Sequence, residues 1–266
     1  MMFAARRVLA SVSTRRSFAT ARHGVRMHGW RKPLFWGACF TFPAAYALKH
    51  SISLDAEVAT DEVVDPDTAI TFPRTLSVQS KVKLPTYTLL GCGVRTVSFL
   101  GIKVYSVGFY ADLSNPKLEE LPRSASAEEK IKFLVDNTSC LLRIIPTRNT
   151  SYTHLRDAFI RTLTARIQAA YTGKTMTQED AVAVASPMNT LKSMFPNATF
   201  AKHQPLDIIL TPPNIIQERT LIVRDLGAVT NDWVSKTIVL SYFDGQGNSP
   251  PMKKAVWESL ETVGGR

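Results

Sequence analysis

The 266-residue chain has few of the residues that mark several classes of protein. Its three cysteines, Cys39, Cys92 and Cys140, are too few and too widely spaced for a disulfide framework or a thiolate zinc site. The histidines are scattered, and His154 has no partner at the spacing of a helical metal pair, so we predict no metal site and a solvent-facing His154. The chain also lacks a G-x-S-x-G motif, a Walker loop and internal repeats, which excludes the corresponding hydrolases, P-loop proteins and solenoids.

Acidic residues are absent from the first 54 positions, which nevertheless hold nine Lys and Arg residues. The remaining 23 basic groups face 22 acidic ones, so the formal charge of +10 belongs to the N-terminus and the rest of the chain is almost neutral. A protein that follows a phosphate backbone needs a basic surface on its folded body. The charge distribution therefore predicts no nucleic-acid partner.

Residues 1–32 combine seven Arg and one Lys with several Ser and Thr residues and no carboxylate. This composition is typical of a mitochondrial targeting segment, and Arg16 precedes Ser17-Phe18-Ala19 in a pattern that resembles a matrix-protease site. A basic tail that binds nucleic acid or anionic lipid is the alternative. We predict a mitochondrial transit peptide.

Residues 33–50 contain a hydrophobic segment, Leu34–Leu48, of fifteen uncharged residues. As a helix it would reach about 22 Å, short of the hydrocarbon core of about 30 Å, although flanking polar residues can cover part of the difference. A membrane anchor and a segment docked onto the folded domain therefore stay open as alternatives. If the segment spans, the body faces the intermembrane space from the inner membrane; otherwise the body lies in the matrix.

Residues 51–71 carry six carboxylates and no basic residue, which predicts a solvated acidic linker before a single domain at 72–266. Antiparallel strand patterns precede grouped helix patterns, which favours an α+β fold with one large sheet and helices on one face. The predicted strands are 76–82, 86–92, 95–100, 102–111, 139–146, 207–211 and 219–223. The predicted helices are 126–137, 149–171, 177–194 and 231–242.

Arg95 and Tyr105 are the unusual residues of the predicted hairpin, because their neighbours in the strand alternation are apolar. A reversal centred on residue 100 places the two side chains opposite one another on one face of the sheet. A buried arginine is costly unless an anionic group meets it, although an arginine at the boundary can reach water or a structural carboxylate instead. We expect Gly91-Cys92-Gly93 to form a turn, and Cys92 and Cys140 to behave as small apolar residues.

The stretch Leu90–Asp112, LGCGVRTVSFLGIKVYSVGFYAD, resembles the signature of the chalcone isomerase family. The resemblance consists of Gly-x-Gly-x-Arg followed by Ile-Lys-x-x-x-x-Gly-x-Tyr, and weaker similarity extends over residues 72–263. Together with the leader it points to a fungal mitochondrial branch of the family. The resemblance implies an open-faced β-sandwich, in which a large antiparallel sheet faces a layer of helices across a ligand cleft.

The resemblance also implies a set of site residues. Chalcone isomerases hold a substrate phenolate with an Arg, which matches Arg95, and use a Tyr that matches Tyr152. The family's hairpin Thr is replaced by Tyr105, and its Asn is replaced by Phe159, which cannot form the same hydrogen bond. The C-terminal Thr or Ser of the family falls on or near Ser241. The resemblance therefore retains the end of the cleft that binds an anion and loses the end that binds the far hydroxyl of a polyphenol.

Three functions follow from these matches. The favoured one is a non-catalytic binder of an amphipathic carboxylate, because Arg beside Tyr in an apolar pocket is the arrangement of the family's fatty-acid-binding members. A fatty acid is the first candidate ligand and haem is the second, through a propionate, although no histidine is clearly placed as an axial ligand. The alternatives are an intramolecular lyase of the chalcone isomerase type, acting through Arg95, Tyr105, Tyr152 and Ser241, and a membrane-tethered structural module.

Overall fold

The computed structural model describes residues 61–80, 82–97 and 100–263. The predicted targeting segment and the predicted hydrophobic segment lie outside these residues. Within the described ranges, no helix combines the length and the hydropathy that a bilayer crossing requires. The compact unit to which these residues belong comprises Glu57–Arg266.

The eleven strands assigned in the described residues are β1 Glu62–Val64, β2 Thr71–Pro73, β3 Thr75–Ser77, β4 Thr86–Val97, β5 Ile102–Ala111, β6 Cys140–Pro146, β7 Thr150–Ser151, β8 Thr199–Phe200, β9 Leu206–Leu210, β10 Thr220–Val223 and β11 Gly227–Thr230. Seven of them form one antiparallel sheet, in the order β11-β10-β9-β6-β5-β4-β3. Two short two-stranded sheets, β1-β2 and β7-β8, lie outside it.

The helices of the described residues are α1 Ala127–Asn137, α2 Tyr152–Thr172, α3 Gln178–Ala183, α4 Ala185–Met194, α5 Asp232–Leu240 and α6 Pro250–Leu260. The capping box expected before α1 is present, since Ser126 and Glu129 bond each other's backbone amides. The single helix predicted over 177–194 is instead two helices. Pro187 has no N–H to donate to the carbonyl of Ala183, so the helical bonding is interrupted at this point.

The helices cover one face of the seven-stranded sheet, as the α+β prediction requires. The main apolar core lies between the two layers, where Phe109 and Leu142 of the sheet meet Leu163, Ile238 and other fully buried helix residues. A smaller cluster on the opposite face contains Phe72, Tyr87, Tyr110, Leu141 and Ile209. The main core therefore fixes the position of the helical layer over β4 and β5.

Gly91 and Gly93 lie inside the continuous strand β4, so the predicted turn at Gly91-Cys92-Gly93 is wrong. Both glycines face α6, and a Cβ atom at Gly91 would lie 2.6 Å from the backbone nitrogen of Val256. A Cβ atom at Gly93 would lie 2.8 Å from the Cβ of Pro251 and would also collide with the backbone of Met252. The absence of these two side chains allows α6 to rest directly on the backbone of the strand.

The hairpin β1-β2 covers the smaller apolar cluster and is fixed by Asp65. This fully buried carboxylate accepts hydrogen bonds from the hydroxyls of Ser106, at 2.6 Å, and Thr68, at 2.8 Å. Residues 61–71 therefore differ from the predicted acidic linker, and ordered structure begins before Phe72. The composition of the segment is that of a linker, but one of its carboxylates is bonded to the centre of the sheet.

We expect Gly93→Ala to lower the free energy of unfolding by about 1–3 kcal/mol, because the new methyl group must push α6 away from β4. Urea denaturation followed by circular dichroism would measure the change. Thr96→Ala is the matched control: it places alanine at an exposed position of the same strand, and we expect it to cost less than about 1 kcal/mol. Equal effects of the two substitutions would contradict this account of the contact.

Candidate ligand-binding cleft

Arg95 of β4 and Tyr105 of β5 lie directly opposite one another, which confirms the predicted register. Beyond this pair the register shifts, because Thr96 pairs with Lys103 and leaves Val104 as an extra residue. A bulge of this kind lets consecutive side chains face the same side of a sheet. Val104 and Tyr105 accordingly both line one cleft on the helical side.

A chain of three polar side chains extends from the cleft into the core. The Nη1 atom of Arg95 donates a hydrogen bond to the hydroxyl oxygen of Tyr105 at 3.3 Å. That oxygen lies 3.1 Å from the hydroxyl of Tyr242, which is fully buried just after α5. The carbon Cζ of Arg95 is also 5.7 Å from the centroid of the Tyr105 ring, within the range of a cation–π contact.

The contact between Tyr105 and Tyr242 allows either hydroxyl to donate, and burial favours one of the two arrangements. Burial raises the pKa of the Tyr242 phenol well above its ordinary value, so the group stays neutral and keeps its proton. A buried hydroxyl donates its hydrogen to an available acceptor, and the acceptor within reach is the oxygen of Tyr105. In this arrangement Tyr105 accepts from both Tyr242 and Arg95, and its own O–H can donate into the cleft.

The cleft next to Arg95 has a volume of about 240 Å³. Its walls come from β4, β5, the connection between β6 and α2, one face of α2, and β8. The apolar lining residues are Val97, Val104, Pro146, Leu155, Ala158 and Phe200. The polar lining residues are Arg95, Tyr105, Arg148, Thr150, Ser151, His154 and Arg161. His154 is exposed, as predicted, and lies at the rim.

Arg95 differs from the two other arginines that the sheet region buries. Arg143 binds both oxygens of Asp207, at 2.7 and 2.9 Å. Arg219 donates to the backbone carbonyls of Thr211, Thr138 and Val135. Arg95 is half-buried, yet its one side-chain partner among the described residues is a neutral phenol. Burial acts to lower the pKa of this guanidinium and the contacts with Tyr105 and Tyr242 act to raise it; the pKa lies above its ordinary value, so Arg95 stays charged.

The other predicted site residues lie outside the described lining of this cleft. Tyr152 begins α2 and stacks on Phe200 at 4.6 Å between ring centroids, so it supports the wall from behind. Phe159 lies in the core and meets Phe195 edge to face. The hydroxyl of Ser241 donates to the carbonyl of Ile238 at 2.7 Å within its own helix. The structure therefore brings together Arg95 and Tyr105 but adds neither Tyr152 nor Ser241 to them.

Neither described cysteine supplies a reactive group. Cys92 and Cys140 are free and buried, and burial raises the pKa of their thiols to about 11 and about 12. In the described ranges there is also no cluster of three or more His, Cys, Asp or Glu residues that could hold a metal ion. What the cleft offers chemically is a fixed cation, a phenol donor and apolar walls.

The sequence of the chain is similar to those of known proteins. A family model described as "Chalcone isomerase like" matches residues 85–131 and 115–257. The chain is 26% identical to altered inheritance of mitochondria protein 18, mitochondrial, of Debaryomyces hansenii, over 92% of this chain and 93% of that protein. It is also 26% identical to the protein of the same name from Eremothecium gossypii, over 74% of this chain and 71% of that protein.

A solved structure shares the fold. The crystal structure of a fatty-acid binding protein of Arabidopsis thaliana superposes with a TM-score of 0.58 over 76% of this chain and 98% of that one. The sequence identity is 18%, so this similarity concerns the fold. It confirms the predicted open-faced sandwich of a large antiparallel sheet and a helical layer.

If Arg95 lacks a sufficient partner, its removal should stabilise the protein. We expect Arg95→Met to raise the free energy of unfolding by about 0.5–2 kcal/mol in the absence of any ligand, because binding sites retain groups that cost stability. Arg143→Met should instead lower it by about 3 kcal/mol, because Asp207 would lose its main partner. Urea denaturation of both variants measures this difference.

The exposed Arg123 provides the control for the loss of one positive charge. We expect Arg123→Met to change the free energy of unfolding by less than about 0.5 kcal/mol. A loss of stability in Arg95→Met comparable with that in Arg143→Met would show that Arg95 is structurally satisfied.

Proposed function

We propose that this chain, which belongs to the chalcone isomerase-like family, binds an amphipathic carboxylate and does not transform it. The observation that carries the proposal is the half-buried Arg95, whose side-chain partner in the described residues is a neutral phenol beside an apolar cleft. A guanidinium keeps its charge at every physiological pH, so such a site favours an anionic guest.

Arg95 and Tyr105 would hold the carboxylate of the ligand. A guanidinium presents parallel N–H groups that match the two oxygens of a carboxylate, and these charge-assisted bonds are stronger than neutral ones. The free O–H of Tyr105 adds a third bond from a second direction. Tyr242 supports this role when it is the donor of its 3.1 Å contact with Tyr105, because the remaining hydrogen of Tyr105 then points toward the guest.

The apolar part of the ligand would lie against Val104, Leu155 and Phe200. The cleft volume of about 240 Å³ is below the range of about 300–1,000 Å³ that is usual for drug-sized ligands. It suits an acyl chain of medium length, or the first part of a longer chain that leaves through the open mouth.

The comparisons support the ligand class and the compartment. The structural neighbour is named as a fatty-acid binding protein, and the fungal relatives are named as mitochondrial. Together with the Arg-rich segment 1–32, the relatives support a mitochondrial location for this chain. We extend the proposal to the order predicted from the sequence, with Leu34–Leu48 as a candidate inner-membrane anchor ahead of the folded domain.

Haem is the second candidate guest. A propionate could bind Arg95, and His154 supplies an imidazole at the rim. The volume of the cavity favours a single chain over a macrocycle, however, and His154 is exposed. A Soret band in the purified protein would identify haem and would replace the acyl chain in this proposal.

We expect octanoate to bind the full chain and Arg95→Gln to weaken binding by about ten- to a hundredfold, since a hydrogen bond to a charged group contributes about 1.5–3 kcal/mol. Tyr105→Phe should weaken it less, because it removes a neutral donor. Isothermal titration calorimetry measures both effects. Arg123→Gln, outside the cleft, is the charge-matched control and should bind as the wild type does. Wild-type affinity in Arg95→Gln would overturn the proposal.

We expect no acceleration of chalcone cyclisation. The chain has Tyr105 where the family's Thr stands and Phe159 where its Asn stands, and neither Tyr152 nor Ser241 lines the cleft in the described structure. The decay of chalcone absorbance with and without protein measures this activity. A rate above the spontaneous one that Arg95→Gln abolishes would instead establish the intramolecular lyase.

A further inference from the structure

The described lining of the cleft is strongly unbalanced in charge. Arg95, Arg148 and Arg161 contribute three guanidinium groups, and the same lining contains no Asp or Glu. A single carboxylate at Arg95 would neutralise one of the three. The other two positive charges therefore require a separate explanation.

Arg148 and Arg161 reach the mouth of the cleft from two different elements. Arg148 follows β6 by two residues, next to Thr147, whose amide and hydroxyl both bond the carbonyl of Val104. Arg161 lies on α2, three residues after Ala158 and therefore on the same helix face as this wall residue. Both arginines are exposed, whereas Arg95 is half-buried deeper in the cleft.

Neither of the two rim arginines is bound in an ion pair within the part of the chain that the structure describes. The carboxylate of Asp157, the acidic group nearest to them along α2, is bound by Arg156 at 2.8 Å. The bond from Arg156, followed by weaker attraction from Arg161 and Lys192, lowers the pKa of Asp157. Arg148 and Arg161 thus keep donors available for a guest.

We infer that Arg148 and Arg161 form a second anion subsite, and that the natural ligand is an amphiphile whose anionic part carries two negative charges. This inference rests on the proposed function, because Arg95 is taken to hold the first charge. A phosphate monoester has this chemistry in one group, with several acceptor oxygens for guanidinium donors. A dicarboxylate has it in two groups, one at Arg95 and one at the rim.

The test compares three probes with the same eight-carbon chain: octanoate, octyl phosphate and octanedioate. We expect the full chain to bind at least one dianion about three- to thirtyfold more tightly than octanoate, the gain that two exposed ion pairs provide. The double variant Arg148→Gln/Arg161→Gln should lose this preference, so that its affinities for the dianion and for octanoate become about equal while octanoate binding still depends on Arg95. Arg148→Lys/Arg161→Lys should retain part of the preference, and Arg123→Gln should retain all of it.

Salt provides an independent measurement. The preference for the dianion should fall between 0.05 and about 0.5 M NaCl, because charges at an exposed rim are screened more than those of a half-buried pair. A preference for octyl phosphate alone identifies a phosphate head, and a preference for octanedioate alone identifies two separated carboxylates.

Two results would overturn the inference while leaving the proposed function intact. One is equal affinity for all three probes with octanoate binding that depends on Arg95. The other is a rim variant that keeps the preference but no longer binds vesicles of anionic lipid, since the rim would then be a membrane contact. The proposed function itself would fail in a different way: either octanoate does not bind, or Arg95→Gln binds octanoate with the affinity of the wild type.

Discussion

The positive charge of Arg95 is the constraint on which the interpretation of this protein depends. A guanidinium cannot release its proton to suit an apolar environment, so a protein that buries one must give it partners. The same sheet shows two such solutions, the carboxylate of Asp207 for Arg143 and three backbone carbonyls for Arg219. At Arg95 the described partner is a neutral phenol, and an open cleft adjoins it. This contrast is the basis of the proposal that a ligand supplies the missing partner.

Packing contacts in other parts of the fold hold the residues of this site in position. The glycines of β4 let α6 rest on the strand backbone, and the bulge at Val104 brings this side chain to the same side of the sheet as Tyr105. Tyr242, at the end of α5, then meets the hydroxyl of Tyr105 from within the core. Each contact is ordinary packing. Together they hold the phenol of Tyr105 in one position at the cleft, which is the kind of preorganisation that the proposed binding site requires.

Local sequence patterns predict the structure well where the residues in contact are close together in the sequence. The opposition of Arg95 and Tyr105 follows from the length of one hairpin, and the helix ends follow from capping residues. Tyr242 could not be found in this way, because its contact with Tyr105 spans 137 positions. Sequence patterns do not single out Arg148 and Arg161 either, because each has the pattern of an ordinary exposed basic residue. Only the folded chain brings the connection after β6 and helix α2 together at one cleft.

The same geometry separates binding from catalysis. Ring closure of a chalcone needs groups that organise the developing enolate as well as an anchor for the phenolate, and catalysis depends on interactions that strengthen in the transition state. Here the anchor is retained, but Tyr152 supports a wall and Ser241 is bonded to its own helix. Burial keeps the Tyr242 phenol neutral, so under the proposed function this group would support a bound anion through Tyr105. An anchor without catalytic groups stabilises a bound ligand and its transition state alike, and such a site would raise affinity without raising the rate.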